Sequence, residues 1–205
     1  MADTGESRMS RQNHSLKFLA ERKRYILLSA LLFMGLAISF QAISQRWGLL
    51  IAPKDQQCFP YTFWTLNKTQ RPGKAEYAAF RWLGVSLIPE KIKWVKRIVG
   101  APGDLVNVEK LPETGRPVEL VEYESGNKPL IIQGYVFVFD HDRGLLGKFT
   151  VFAKDSQGNI LPMIEPQIIP EGKYYVAGDN KRSSDSRYWG LIDETWIIGQ
   201  AHPIY

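Results

Sequence analysis

Nineteen consecutive residues, Tyr25 to Ile43 (YILLSALLFMGLAISFQAI), carry no charge and are mostly apolar. About twenty such residues in a helix match the roughly 30 Å hydrocarbon core of a bilayer. Arg22-Lys23-Arg24 precedes the run, and basic residues on one flank hold that flank in the cytoplasm. Two other readings compete: the buried helix of a globular protein, and a cleavable signal with Ala42-Ile43-Ser44 as its small-x-small site. The run exceeds the roughly 7–15 apolar residues of a signal core, so an uncleaved anchor is expected. Three parts follow: a flexible cytoplasmic tail at 1–24, a transmembrane anchor at 25–43 in contact with lipid, and an extracytoplasmic domain at 46–205. The expected location is the inner (cell) membrane, crossed once.

Beyond the anchor the sequence changes character. Tyr61–Leu66, Tyr77–Trp82, Leu105–Val108, Gly134–Phe139, Phe149–Ala153, Tyr174–Ala177 and Trp196–Ala201 are short runs rich in aromatic and β-branched residues, separated by Gly and Pro. Such punctuation, without a sustained helical period, predicts a mostly β domain. Leu111–Lys128, rich in Pro, Glu and Gly, reads as a loop or poorly ordered hairpin.

The net charge of +5 raises the question of nucleic acid, and its distribution answers it. Six basic residues (Arg8, Arg11, Lys17, Arg22, Lys23, Arg24) and three acids (Asp3, Glu6, Glu21) precede the anchor, leaving 20 basic and 18 acidic residues of the total 26 and 21 beyond it. A nearly neutral domain offers no basic stripe for phosphates. The single cysteine, Cys58, excludes an intrachain disulfide and a cysteine-based metal site. His14 falls in the tail and His202 in the last strand; His141, in Asp140-His141-Asp142, reads as part of a solvated loop, with half of a Cys–His pair or a metal ligand as the competing readings. No HExxH, P-loop or dinucleotide fingerprint is present, and no cofactor or metal is expected.

Trp94-Val95-Lys96-Arg97-Ile98-Val99 is a strand by composition, and Gly100-Ala101-Pro102-Gly103-Asp104 turns it. Alternation puts Lys96 on one face with Trp94 and Ile98. A strand lysine commonly snorkels its ammonium to water; one that is desolvated becomes a neutral amine and a general base. The second chemically dense stretch is Gly178-Asp179-Asn180-Lys181-Arg182-Ser183-Ser184-Asp185-Ser186-Arg187-Tyr188-Trp189-Gly190.

These two stretches resemble the boxes of the type I signal peptidases (peptidase family S26), serine–lysine proteases that cut secretory signal peptides. Lys96–Asp104 is similar to the lysine box KR(V/A)(I/V)G-x-PGD, and Gly178-Asp179-Asn180 followed by Ser183–Gly190 resembles the last box, GDN…S-x-DSR-x-WG. The resemblance implies an antiparallel β catalytic domain behind one transmembrane helix, Lys96 as general base, Ser183 as the hydroxyl that aims it, and Asp185 with Arg187 as a bracing pair. The last box is one residue shorter than usual between Asn180 and Ser183, which leaves Ser184 as the competing aiming residue.

The family's S-M-x-P nucleophile box is absent; Gln56-Gln57-Cys58-Phe59-Pro60-Tyr61-Thr62-Phe63 stands in its place. The conjugative-transfer branch uses S-M-P-x-G-x-Y, and in that register Cys58 replaces the serine and Phe59 the apolar residue. Cys58 is therefore the expected nucleophile, a small buried cysteine being the alternative. The backbone N–H of Cys58 and the side-chain amide of Gln56 are the candidate oxyanion donors. The function so implied is a membrane-anchored peptidase acting on an exported precursor with a leader peptide, a conjugative pilin in particular, with other transfer components as partners and cyclisation of the product as a second outcome. A general secretory signal peptidase, and an inactive relative that serves in assembling a transfer apparatus, are the alternatives.

Overall fold

The computed structural model describes residues 5–53, 58–81, 93–122, 126–142 and 144–204, with side chains from residue 22 onward. The chain divides into two compact units, Met1–Arg46 and Trp47–Tyr205.

The first unit is one helix, α1 (Gly5–Arg46). Its stretch Arg22–Arg46 has a mean hydropathy of 2.2 and is long and apolar enough to cross a membrane. The expected flexible tail is helical from Gly5 onward. Between Gly5 and Arg24 there is no proline and no further glycine, so nothing stops a helix nucleated in the apolar run from propagating toward the N-terminus.

Among the described residues the second unit holds twelve antiparallel strands: β1 (Trp47–Ile51), β2 (Phe63–Asn67), β3 (Tyr77–Arg81), β4 (Lys93–Gly100), β5 (Leu105–Lys110), β6 (Val118–Val121), β7 (Lys128–Phe139), β8 (Leu145–Phe152), β9 (Gln167–Ile168), β10 (Lys173–Ala177), β11 (Ile192–Asp193) and β12 (Ile197–Ile204). One turn of helix, α2 (Ser186–Trp189), precedes β11. A seven-stranded sheet runs β1-β2-β12-β3-β4-β10-β11, and a second sheet runs β6-β7-β5-β9 with β8 also on β7. The mostly β reading of the sequence holds. Trp82 and Gln56 lie outside the described residues.

Two strands that the sequence reading did not delimit have clear causes, the first being one arm of the hairpin it allowed for at Leu111–Lys128. Leu111–Lys128 contains a strand, β6, because Val118–Val121 pairs with the first four residues of the long strand β7; its register comes from that partner rather than from its own composition. Trp47–Ile51 is also a strand, paired along its whole length with β2. Its apolar residues follow the anchor so closely that sequence alone does not separate them from it.

The main core lies where the sheets face each other and joins Val99 of β4, Val106 of β5, Val136 and Val138 of β7, Val151 of β8 and Tyr175 of β10. A Cβ added to Gly100 would stand 2.6 Å from Ile169 Cδ1, so β4 packs this closely only with glycine at its end. A second cluster sits beside it, with Phe80, Ile98, Val176 and Ile197. A third, with Phe59, Trp64, Leu66 and Ala79, forms the floor on which Cys58 packs. β4 borders all three clusters, through Val99, Ile98 and Val95.

The turn after β4 is fixed by its own residues. Gly103 takes φ +88°, a left-handed conformation that a side chain disfavours. Asp104 is buried, and its carboxylate accepts the N–H of Ala101 at 2.8 Å and a hydrogen bond from Lys74 Nζ at 2.8 Å. The lysine box therefore ends in a closed, charge-neutralised turn.

Candidate active site

Lys96 is completely buried. Its Nζ stands 5.3 Å from the centre of the Trp94 ring, on the apolar face that strand alternation assigns it. From there the Nζ donates to Cys58 Sγ at 2.7 Å and to Ser183 Oγ at 2.5 Å. The amine of β4 thus meets the thiol of the β1–β2 connection and the hydroxyl of the segment after β10. Cys58 is half-buried and not in a disulfide; Ser183 is buried. Ser184 lies elsewhere and accepts a hydrogen bond from Trp189 Nε1 at 2.9 Å.

Backbone contacts hold the thiol against the last box. The carbonyl of Cys58 accepts the N–H groups of Asp179 at 3.0 Å and Asn180 at 3.1 Å. Gly178 makes this approach feasible: a Cβ there would lie 2.4 Å from Ser183 Oγ and 2.8 Å from Cys58 Cβ. Arg97, the other-face neighbour of Lys96, pairs with Asp179 at 2.9 Å across an exposed gap.

Asp185 and Arg187 lie one layer behind. Asp185 is fully buried; its Oδ1 accepts from Arg187 Nε at 2.7 Å, and its Oδ2 accepts from Arg187 Nη2 at 2.8 Å and from the N–H of Gly178 at 3.0 Å. The same guanidinium donates to the carbonyls of Ser183 at 2.9 Å, Thr150 at 3.0 Å and Lys181 at 3.2 Å. One cation therefore gathers the loop that carries Ser183 and ties it to β8. Burial is the largest single influence on Arg187 and works against its charge, but the hydrogen bonds and charge of Asp185, with Tyr188 and Tyr175, outweigh it and raise its pKa above the usual arginine range.

A cavity of about 330 Å³ opens beside Cys58. Its lining includes Leu50 and Ala52, Tyr61 and Trp64, and Lys93, Trp94 and Val95 of β4.

Of the residues singled out in the sequence, the structure brings Cys58, Lys96, Ser183, Asp185 and Arg187 together; Gln56 lies outside the described residues. His141 is exposed and contacts Asp142 at 3.3 Å, and His202 sits on β12. No group of three metal-ligating side chains occurs among the described residues. Sequence reasoning missed Gly178 as the point of close approach and the N–H groups of Asp179 and Asn180 as anchors. The glycine stood in a quoted box, so its identity was the available signal; backbone donors leave none.

The site is thus an antiparallel β domain's buried amine within hydrogen-bond reach of a thiol and a hydroxyl. The comparisons with known proteins narrow this. The family model for signal peptidases, peptidase S26, matches residues 50–205, and the chain belongs to that family. Signal peptidase IB of Staphylococcus aureus is 37% identical over 112 residues, covering 52% of this chain and 50% of its own. Signal peptidase I of Buchnera aphidicola is 23% identical over 185 residues, covering 71% of this chain and 58% of its own. The matched region thus spans about half the length of these curated relatives. A crystal structure of a signal peptidase I from Enterococcus faecalis aligns with 18% identity and a TM-score of 0.32, covering 64% of this chain and 97% of that one.

Proposed function

We propose that the protein is a membrane-anchored endopeptidase of the signal peptidase type, which cuts exported precursors that carry a signal or leader peptide, with Cys58 as nucleophile and Lys96 as general base. The observation that carries this reading is the placement of one buried amine 2.7 Å from a thiol and 2.5 Å from a hydroxyl. Family membership and the apolar helix of membrane-crossing length support it.

The chemistry follows from the contacts. Lys96 takes the Cys58 proton, and the sulfur attacks the scissile carbonyl to form a C–S bond and an oxyanion. The N–H of Cys58 and the amide of Gln56 are the donors assigned to that oxyanion. Lys96 then passes its proton to the leaving amine as the C–N bond breaks. Water, deprotonated by the same amine, attacks the thioester, and the carboxylate leaves with the thiol restored. Ser183 holds the amine in line throughout, and the Asp185–Arg187 pair holds Ser183.

The finer reading places the protein in the conjugative-transfer branch, with a pilin precursor as substrate. Cys58 in the register of that branch's serine supports it, because a thioester is more prone to aminolysis than an oxygen ester, so the pilin's own amino terminus can resolve it to a cyclic product. A general secretory signal peptidase is the second reading, favoured by relatives that are themselves signal peptidases I and IB.

The test is processing of candidate precursors by the full chain, with product mass as readout. Cys58→Ala and Lys96→Ala abolish cleavage, Lys96→Arg does so too because a guanidinium stays charged, and His141→Ala is nearly neutral. A product lacking one water marks cyclisation, and Cys58→Ser shifts the balance toward the linear form. An active Lys96→Ala with an inactive His141→Ala refutes the dyad.

A further inference from the structure

A second cleft, about 470 Å³ in volume, lies between β6 and the loop that carries Ser183. Glu119 and Glu122 line it from β6 and the residue beyond, and Asn180, Lys181 and Arg182 from the loop. Lys181 Nζ pairs with Glu119 across it. The cleft is tied to the residue that carries the thiol, because the N–H of Asn180, which lines it, bonds the carbonyl of Cys58 at 3.1 Å. β6 is the terminal strand of its sheet, and no other described strand pairs its outer edge.

We infer that this cleft receives the part of the substrate that follows the scissile bond, and that its two charged walls select among the side chains there. The inference rests on the peptidase reading above. Its argument is the route of one proton. When the C–N bond breaks, the leaving nitrogen takes its proton from Lys96, so the start of the leaving segment lies within reach of that amine. Lys96 is bonded there to Ser183, whose chain neighbours Arg182 and Lys181 line the charged cleft. The first cavity, which Cys58 itself lines, is walled mostly by apolar residues of β1, Tyr61, Trp64 and β4, with Lys93 at β4, and Ser183, Asn180 and Arg182 take no part in it. The acyl half therefore occupies the apolar slot and the leaving half the charged cleft. With carboxylates on one wall and cations on the other, each charge on the leaving segment meets one attractive and one repulsive wall. Altering one wall unbalances that pairing in a direction known beforehand.

The test uses the full-length protein in detergent and synthetic fluorogenic peptides with one acyl half, Ala-x-Ala before the bond, and different leaving halves. In the unmodified protein, a leaving half of six residues is cut about tenfold more efficiently, as kcat/KM, than one of a single residue. A second pair of peptides carries two lysines or two glutamates beyond the bond. The double variant Lys181→Glu/Arg182→Glu shifts the kcat/KM ratio of the lysine to the glutamate peptide upward by about five- to tenfold, and Glu119→Lys/Glu122→Lys shifts it downward by a similar factor. Opposite shifts distinguish contact with substrate from damage to the fold, which moves both peptides together. A ratio unchanged in both variants, or equal rates for long and short leaving halves, overturns the inference while the peptidase reading stands. Failure of the unmodified protein to cut any of these peptides overturns that reading and this inference with it.

Discussion

Asp185 holds Arg187 through both carboxylate oxygens, at 2.7 and 2.8 Å, in a fully buried setting. The pair has a further consequence: Arg187 spends its remaining N–H groups on the carbonyls of Ser183, Lys181 and Thr150. Removing the cation strands a buried carboxylate and frees the loop together. Arg187→Ala should therefore lower stability by about 3–5 kcal/mol. Arg187→Lys should recover only part of it, because an ammonium cannot reproduce the planar fork. Denaturant titration of the full chain in detergent checks both.

Gly178 offers a narrower test, because it touches the site without carrying chemistry. A methyl there meets Ser183 Oγ at 2.4 Å and Cys58 Cβ at 2.8 Å, so one or both must move. Displacements approaching 1 Å at reacting groups cost roughly 10²-fold in rate. Gly178→Ala should cut kcat by about that factor while the chain stays folded by circular dichroism. A rate within twofold of the unmodified protein contradicts the role given to this close approach.

Much of this organisation was legible beforehand, and for identifiable reasons. The charge-free run Tyr25–Ile43 signalled a membrane-length helix by length alone, and β-branched residues ending in Gly-Ala-Pro-Gly located β4 and its turn. Lys96 was visible as an anomaly because alternation placed it with Trp94 and Ile98. What stayed hidden depends on partners distant in sequence. Val118–Val121 becomes a strand only because β7 extends past the rest of its sheet to meet it. The two-residue strands β9 and β11 are too short to show a period. The bonds from Asp179 and Asn180 to the Cys58 carbonyl are made by backbone, which every residue carries. The choice between Ser183 and Ser184 as neighbour of Lys96 was a matter of loop geometry, one residue either way.

Tyr175 yields a pH dependence. Its side chain is wholly buried, and its hydroxyl finds no hydrogen-bond partner among the described residues. Burial, reinforced by the charge of Asp185, pushes its pKa well above the ordinary tyrosine value. In the unfolded chain the phenol ionises near pH 10. Above that pH the unfolded state binds fewer protons than the folded one, so stability falls as pH rises. Tyr175→Phe should flatten that alkaline loss and, at neutral pH, add about 1 kcal/mol by removing an unsatisfied buried hydroxyl. Denaturation curves of both proteins between pH 8 and about pH 11 isolate the difference.

Orientation is tested separately. Arg22-Lys23-Arg24 flanks the apolar stretch of α1, and the positive-inside rule predicts that the N-terminal side stays in the cytoplasm. A reporter fused after Tyr205 should be active only if it works outside the cytoplasm. Activity of a cytoplasm-only reporter at that position contradicts the topology.

The central claim is that Lys96 activates Cys58, and alkylation of the thiol measures it most directly. Cys58 is the only cysteine in the chain, so every label reports on it. Iodoacetamide should modify Cys58 in the unmodified protein at least about tenfold faster than in Lys96→Met at neutral pH, since the thiolate is the reacting form and the amine is what generates it. Methionine keeps the buried volume near Trp94 and Ile98, so a slower rate reflects the lost amine rather than a collapsed site. Equal rates in the two proteins, with both folded, would show an ordinary thiol and contradict the account.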